Sequence, residues 1–367
     1  MAYDIPPAYD IPSLETVRST PPLRGALPGA RLPYALEHGE GHRFDLGRAL
    51  VTVIARPEDT GGAFWAAWVL GGRDVATPCI SHADPQFLYV TEGRLQLRLA
   101  GATRILVPGD SATIPAGSPA ALRLLSHRTR FLAVLGGTST FGLVPALGLA
   151  TERRMYDLHA ADVSAARAGE LAARFGIAVH ELPDVDAAAA EAITEPAAPP
   201  SLATALPAEA QPYVLEAGEG EHLESLDQLN TFLARARHTG GSFFAVHTSG
   251  GRSPYIPRHF HRLHTENFLC LQGRILLHAG GQEIALHPGD FLHAPAGTIH
   301  SFSFAAHHTQ MLGILTTEVF EPFFDWMNRP TDAPVHQEIG DRAFPAEAFG
   351  RVQAELDVEV VGPPPGV

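Results

Sequence analysis

The chain has 367 residues, 45% of them hydrophobic and 18% charged, with a formal net charge of -14; it is long enough for two or three globular domains and too apolar for a disordered chain. The acidic balance excludes a nucleic-acid surface, which needs clustered Lys and Arg, and adhesion to an anionic membrane. All 26 basic residues are arginine, which excludes Schiff-base chemistry from a side-chain amine and a lysine-dependent phosphate loop.

The opening MAYDIPPAYDIP has no basic region followed by an apolar run, so no secretory signal is expected. No stretch reaches the roughly 18 apolar residues of a membrane span. Cys79 and Cys270 are the only cysteines and cannot build a disulfide framework. Together these features point to the cytoplasm. Residues 1–30 are Pro-rich and read as an arm laid on the surface or on a partner subunit, which is compatible with a homodimer.

From there the chain repeats itself. PYALEHGEG at Pro33-Tyr34 returns as PYVLEAGEG at Pro212-Tyr213, and Thr60-Gly61-Gly62 as Thr239-Gly240-Gly241, both 179 positions on. Gly93-Arg94, Gly109-Asp110 and Pro115-Ala116-Gly117 return 180 positions on, at Gly273-Arg274, Gly289-Asp290 and Pro295-Ala296-Gly297. The chain therefore holds two copies of one domain. The expected boundaries are an N-terminal domain over 31–183, an Ala/Pro-rich linker over 184–211 and a C-terminal domain over 212–367.

Within the first copy, QFLYVTEG, RLQLRLAG and RFLAVLGG predict strands; ENFLCLQG, RILLHAGG and QMLGILTT predict their counterparts in the second. Short apolar runs broken by Gly, Pro and Asp at this spacing mark a β-sandwich or barrel, and PGD before a run marks a tight turn. Helical pattern follows each β region, in DVSAARAGELAARFG and AEAFGRVQAEL. The linker's Ala-rich DVDAAAAEAIT admits a short helix.

The second copy carries His259-Phe260-His261. Residues two apart on a strand share a face, so both imidazoles can reach one ion. Glu266 has the wrong parity for the same strand, which predicts a bend through Arg262 to Thr265 and a place for Glu266 on an adjoining strand. PAGTIH delivers His300 from another strand after the PGD turn. Three neutral imidazoles and a carboxylate can bind a divalent first-row metal and leave positions open. Aligned on Gly93, the first copy has Cys79, Ser81, Gln86 and Ala120 at the same four places, a set with little affinity for a metal; that copy is expected to stabilise the pair or complete the pocket.

HFHRLHTENFLCLQG fits H-x-H-x4-E-x6-G, and GDFLHAPAGTIH fits G-x5-P-x-G-x2-H. In these motifs the chain resembles the cupin superfamily, with Ser253 and Phe304 standing where that pattern has Gly and Asn; neither position is a ligand. HTENFLCLQG, HPGDFLHAPAGTIHSF and FEPFF resemble, more narrowly, the bicupin quercetin 2,3-dioxygenases. The resemblance implies an all-β fold of two jelly-roll barrels in tandem with a few appended helices. It implies one divalent first-row transition metal per chain (Fe, Mn, Ni, Co, Cu or Zn) on His259, His261, Glu266 and His300. It also implies an O2-dependent cleavage of a flavonol or related enolised aromatic ring, with Glu266 as both ligand and base for the substrate hydroxyl. Two other readings stay open: a metal cupin acting on another small molecule as oxygenase, isomerase or lyase, and a binding cupin without catalysis.

Around the four residues, Phe268 shares the parity of Glu266, and Phe302 and Phe304 that of His300, so all three are candidates for a substrate pocket as well as for core packing. Tyr255 is a candidate cover for the cavity mouth. His264 reads as an exposed turn residue, or else as a neighbour that supports the ligands. His287, His293, His307 and His308 fall off register and read as surface or turn residues. FEPFFDW reads as core packing, or as a helical lid.

Overall fold

A computed structural model of the chain describes residues 20–99, 101–161, 163, 165–181, 203–338 and 343–366. Each copy folds into two facing sheets of almost wholly antiparallel strands, so the molecule is two jelly-roll barrels in one chain. The predicted runs become Gln86–Glu92, Leu95–Leu99 and Thr129–Gly136 in the first barrel and Thr265–Gln272, Ile275–Ala279 and Thr309–Thr316 in the second. The helical patterns become Ala165–Ala172 and Ala346–Glu355, with a further short helix at Pro322–Met327. Residues 1–19 of the N-terminal arm and the Ala-rich part of the linker lie outside the described residues.

Several of these strands are apolar without alternation, and the packing explains why. In the first barrel Leu88, Val90, Phe131, Ala133 and Leu135 fill the interior. Their strand neighbours Phe87, Tyr89, Leu132 and Val134 point the other way, into a second core shared with Phe232, Phe244, Leu269, Leu312 and Ile314 of the other barrel. A strand buried on both faces needs apolar residues at every position. Two barrels joined through such a face bury far more apolar surface than either alone, and the association is correspondingly strong.

The copies also exchange segments. Tyr34–Leu36, at the start of the first copy, pairs antiparallel with Phe291–Ala294 of the second barrel. Tyr213–Leu215, the equivalent segment of the second copy, pairs with Ser111–Ile114 of the first. The two PGD turns fasten the exchange. Gly109 and Gly289 take the left-handed backbone, with φ of 100° and 95°, which a residue with a Cβ rarely adopts. This leaves the aspartates free to accept hydrogen bonds: Asp290 from the backbone N of His38 at 2.8 Å, and Asp110 from that of Ala217 at 2.9 Å. His293 belongs to this junction and is not a surface residue. It is fully buried, stacked on Tyr34 at 4.9 Å, with Nδ1 2.6 Å from Asn267 Oδ1 and Nε2 3.1 Å from the Asp59 carbonyl.

Candidate metal centre

Strand Arg258–Phe260 places His259 opposite His300 on strand His300–Phe304, while Thr265–Gln272 sets Glu266 between Ala294 and Leu315. His261 follows the end of its strand, and its carbonyl accepts the backbone N–H of Gly297 from the PAG turn at 2.6 Å. One ligand atom from each of His259, His261, Glu266 and His300 lies within 4.8 Å of the other three. All four residues are buried, at 9% exposure or less.

The orientation of the imidazoles follows from what surrounds them. Nδ1 of His259 donates to the carbonyl of Pro257 at 2.9 Å, Nδ1 of His300 to that of Thr298 at 2.9 Å, and Nδ1 of His261 to that of Asp357. A carbonyl can only accept, so each Nδ1 carries a proton and each Nε2 is left facing the centre. His261 Nε2 is buried without a hydrogen-bond partner, which would be costly unless something else occupies its lone pair. Glu266 Oε2 stands 3.1 Å from His300 Nε2 and Oε1 3.5 Å from His261 Nε2.

Burial pushes the Glu266 carboxyl up, but the imidazoles of His261, His264 and His300 outweigh it and hold the group well below the usual carboxylate range. Burial, with the adjacent His300 and His261 rings, keeps the His259 imidazole well below its ordinary value. A single carboxylate charge among nitrogen lone pairs, in a dry setting, suits a divalent first-row ion; the residues present fit such a group.

The bend predicted between His261 and Glu266 exists, and a residue far away holds it. Asp357, just beyond helix Ala346–Glu355, accepts the backbone N–H groups of Arg262, Leu263 and His264 at 2.7, 2.7 and 2.8 Å, while its own carbonyl orients His261. His264 is therefore not an exposed turn residue. The bend turns it inward to full burial, with its Nε2 3.4 Å from Glu266 Oε1 and its ring 4.4 Å from Phe320. Burial pushes its imidazole down to about 4, so it stays neutral.

A cavity of about 350 Å³ opens beside His259 and Glu266. Phe268 and Phe302 line it, with Tyr255 at its edge; the Tyr255 hydroxyl donates to Glu283 Oε2 at 2.6 Å. Phe304 is a correction. Four residues beyond His300, about 13 Å along the strand, it packs at 1% exposure in the core with Ile275 and Met311 and does not border the cavity. The FEPFFDW segment supplies Phe320, Phe323 and Phe324 to the wall, so it is a cover over the cavity as well as core. Arg235 ties that cover down, bonding Glu321 at 3.0 Å, Asp325 at 2.7 Å and Glu221 at 2.5 Å. A larger recess, about 620 Å³, lies between the barrels but contains none of the four clustered residues.

In the first barrel the register repeats: Gln86 pairs with Ile114 and Leu135 as Glu266 does with Ala294 and Leu315. Cys79, Ser81, Gln86 and Ala120 are all buried, and Ser81 Oγ is engaged with His180 Nε2 at 2.8 Å. Among the described residues, the second barrel holds the one cluster with ligand spacing.

Two such barrels in one chain, with a three-histidine, one-glutamate cluster in one of them, define a bicupin. The family model described as a cupin domain matches the chain twice, at residues 68–134 and 245–312. Quercetin 2,3-dioxygenase of Bacillus subtilis (strain 168) is 37% identical over 349 residues, spanning 92% of this chain and 98% of that protein. The chain belongs to the cupin family. Among solved structures, oxalate decarboxylase from Bacillus subtilis at pH 4.6 matches with a TM-score of 0.47 and 14% identity over 79% of each chain. The formate complex of oxalate decarboxylase from Lactobacillus farciminis matches with a TM-score of 0.49 and 12% identity, covering 78% of this chain and 86% of the other. No helix among the described residues is long and apolar enough to cross a membrane.

Proposed function

We propose that the protein is a metal-dependent dioxygenase that cleaves a flavonol, or a related enolised aromatic ring, with O2. One observation carries this reading: the convergence of His259, His261, Glu266 and His300 at the edge of a cavity walled by aromatic rings, in a chain 37% identical over 92% of its length to a quercetin 2,3-dioxygenase. His259, His261 and His300 would hold one divalent first-row ion, with Glu266 completing the set. When bound, the ion supplies Lewis acidity and a template for substrate and O2.

The protein's own groups prepare the reaction. Glu266 is charged at neutral pH and within reach of the cavity, so it accepts the proton of the flavonol hydroxyl and leaves the substrate as an electron-rich anion. The carbonyls of Pro257, Asp357 and Thr298 keep the three rings from turning. The walls of Phe268, Phe302, Phe320 and Phe323 match a flat aromatic scaffold and exclude water that would compete for the anion. The neutral His264 stands beside the same carboxylate oxygen that faces His261 and adds no competing charge.

The test is O2 uptake by metal-loaded protein presented with quercetin. Uptake that tracks flavonol loss, and that falls about 10²- to 10⁴-fold in Glu266→Gln, is the expected result. Full metal content with no flavonol-dependent uptake would discard this substrate class and move the search to other small molecules.

A further inference from the structure

Away from the histidines and Glu266, one wall of the second barrel's cavity carries a row of three buried polar side chains, Asn328, Asn230 and Thr248. Asn328 Nδ2 donates to the Phe324 carbonyl at 2.6 Å. Asn230 Nδ2 lies 3.3 Å from Asn328 Oδ1, and Thr248 Oγ1 lies 2.8 Å from Asn230 Oδ1. The row has a direction that can be read from its end. The Phe324 carbonyl can only accept, so Asn328 turns its amide N to that side and its oxygen to Asn230. Asn230 must then present its own N to Asn328 and its oxygen to Thr248, whose hydroxyl donates. Beyond these bonds Asn230 has a second N–H and Thr248 Oγ1 has its lone pairs, on residues that border the cavity. All three residues border the cavity and are 4–7% exposed.

The first barrel shows that this row is not required by the fold. Val51 pairs with Val69 in the register in which Asn230 pairs with Thr248. Strand Leu149–Ala150 answers to Arg329–Pro330, so Gly148 stands where the second barrel has Asn328. At these three places the barrel without the ligand set carries Val, Val and Gly, with both valines in its filled interior. The polar row is present only in the barrel that has the histidines and the glutamate. It also lies away from them: Thr248 pairs with Met311, and Met311 with Cys270, four residues and about 13 Å along the strand from Glu266.

We propose that Thr248, Asn230 and Asn328 select substrates that carry a hydroxyl on the ring remote from the metal-binding end. This inference rests on the dioxygenase reading above. A phenolic hydroxyl can donate to Thr248 Oγ1 and accept from Asn230 N–H at once. A ring without one would leave both groups buried and unpaired, which is the situation in which a polar site rejects a ligand most strongly.

The experiment compares three flavonols with no, one and two hydroxyls on the pendant ring, using metal-loaded wild type, Thr248→Val and Asn230→Val. Both substitutions install the residue the first barrel carries in the same register. In wild type, kcat/KM for the hydroxylated substrates should exceed that for the bare ring by about tenfold or more, mainly through KM. In the variants that ratio should fall towards unity, and fluorescence titration of the flavonols should show the same loss in Kd. An unchanged ratio in variants that still turn over overturns the inference and leaves the dioxygenase reading intact. A wild type that neither binds nor consumes any of the three flavonols sinks both.

Discussion

The two barrels share a register, a turn chemistry and a mode of joining, yet one is filled and the other is hollow. In the first, Trp65, Leu88, Phe131 and Leu135 meet in a continuous apolar interior. In the second, Phe244, Phe268, Met311 and Leu315 stand at the equivalent positions, but Phe268, Met311 and Leu315 line an open space with Asn230 and Thr248. Loss of the four ligand positions in the first copy goes with closure of its interior, since a dry void has no partner atoms and costs stability. The exchanged segments explain why the closed copy is kept. Tyr34–Leu36 completes the sheet that carries Glu266, so the first copy builds part of the second barrel's wall.

The largest expected effect sets the ligand positions of the two copies against each other. His261→Ala should abolish metal binding, while Ser81→Ala, its counterpart, should leave metal content unchanged; elemental analysis of the purified variants checks both. Next comes Asp357→Ala, which frees three backbone N–H groups and the bend carrying His264. Loss of such supporting contacts costs about 10- to 100-fold in metal affinity, measurable by competition with a chromogenic chelator, whereas the first barrel has no metal set for such a residue to support.

Arg235→Met tests the cover over the hollow barrel. Its side chain is 6% exposed against carboxylates that are partly open to solvent, so removing it costs about 1–3 kcal/mol. Denaturant unfolding should show that loss, and KM for the flavonol should rise as helix Pro322–Met327 loosens. The effect confined to acid pH belongs to the filled barrel. Burial pushes the His82 imidazole from 6.5 down to about 4. The unfolded chain therefore takes up this proton before the folded one does as pH falls. The associated stability is complete above about pH 6.5 and is lost progressively towards pH 4. Tm measured across that window should fall less steeply in His82→Phe.

Much of the site was legible in the sequence because its chemistry is carried by spacing. HxH, a glutamate five residues on and a distant PxGxxH can be read without coordinates, and the duplication supplied a second copy against which each ligand position could be checked. What escaped was everything brought in by a single residue from elsewhere in the chain. Asp357 lies 91 positions beyond Glu266, in a segment with no pattern of its own, and it is what turns His264 inward. Asn230 and Thr248 sit in strands that read simply as strands. Phe304 has the right parity for the cavity but lies too far along the strand, and parity fixes the face of a residue without fixing its depth. The repeated PY segments were visible, yet nothing in them told that each would pair with the other copy.

The claim that one barrel carries the chemistry and the other supports it is tested most directly by the metal content of fully reconstituted protein, in wild type and in the His259→Ala, His261→Ala double variant. The account predicts about one ion per chain in the first and none in the second. Two ions per chain in wild type, or one retained in the double variant, would place a metal outside the four residues of the second barrel and contradict it.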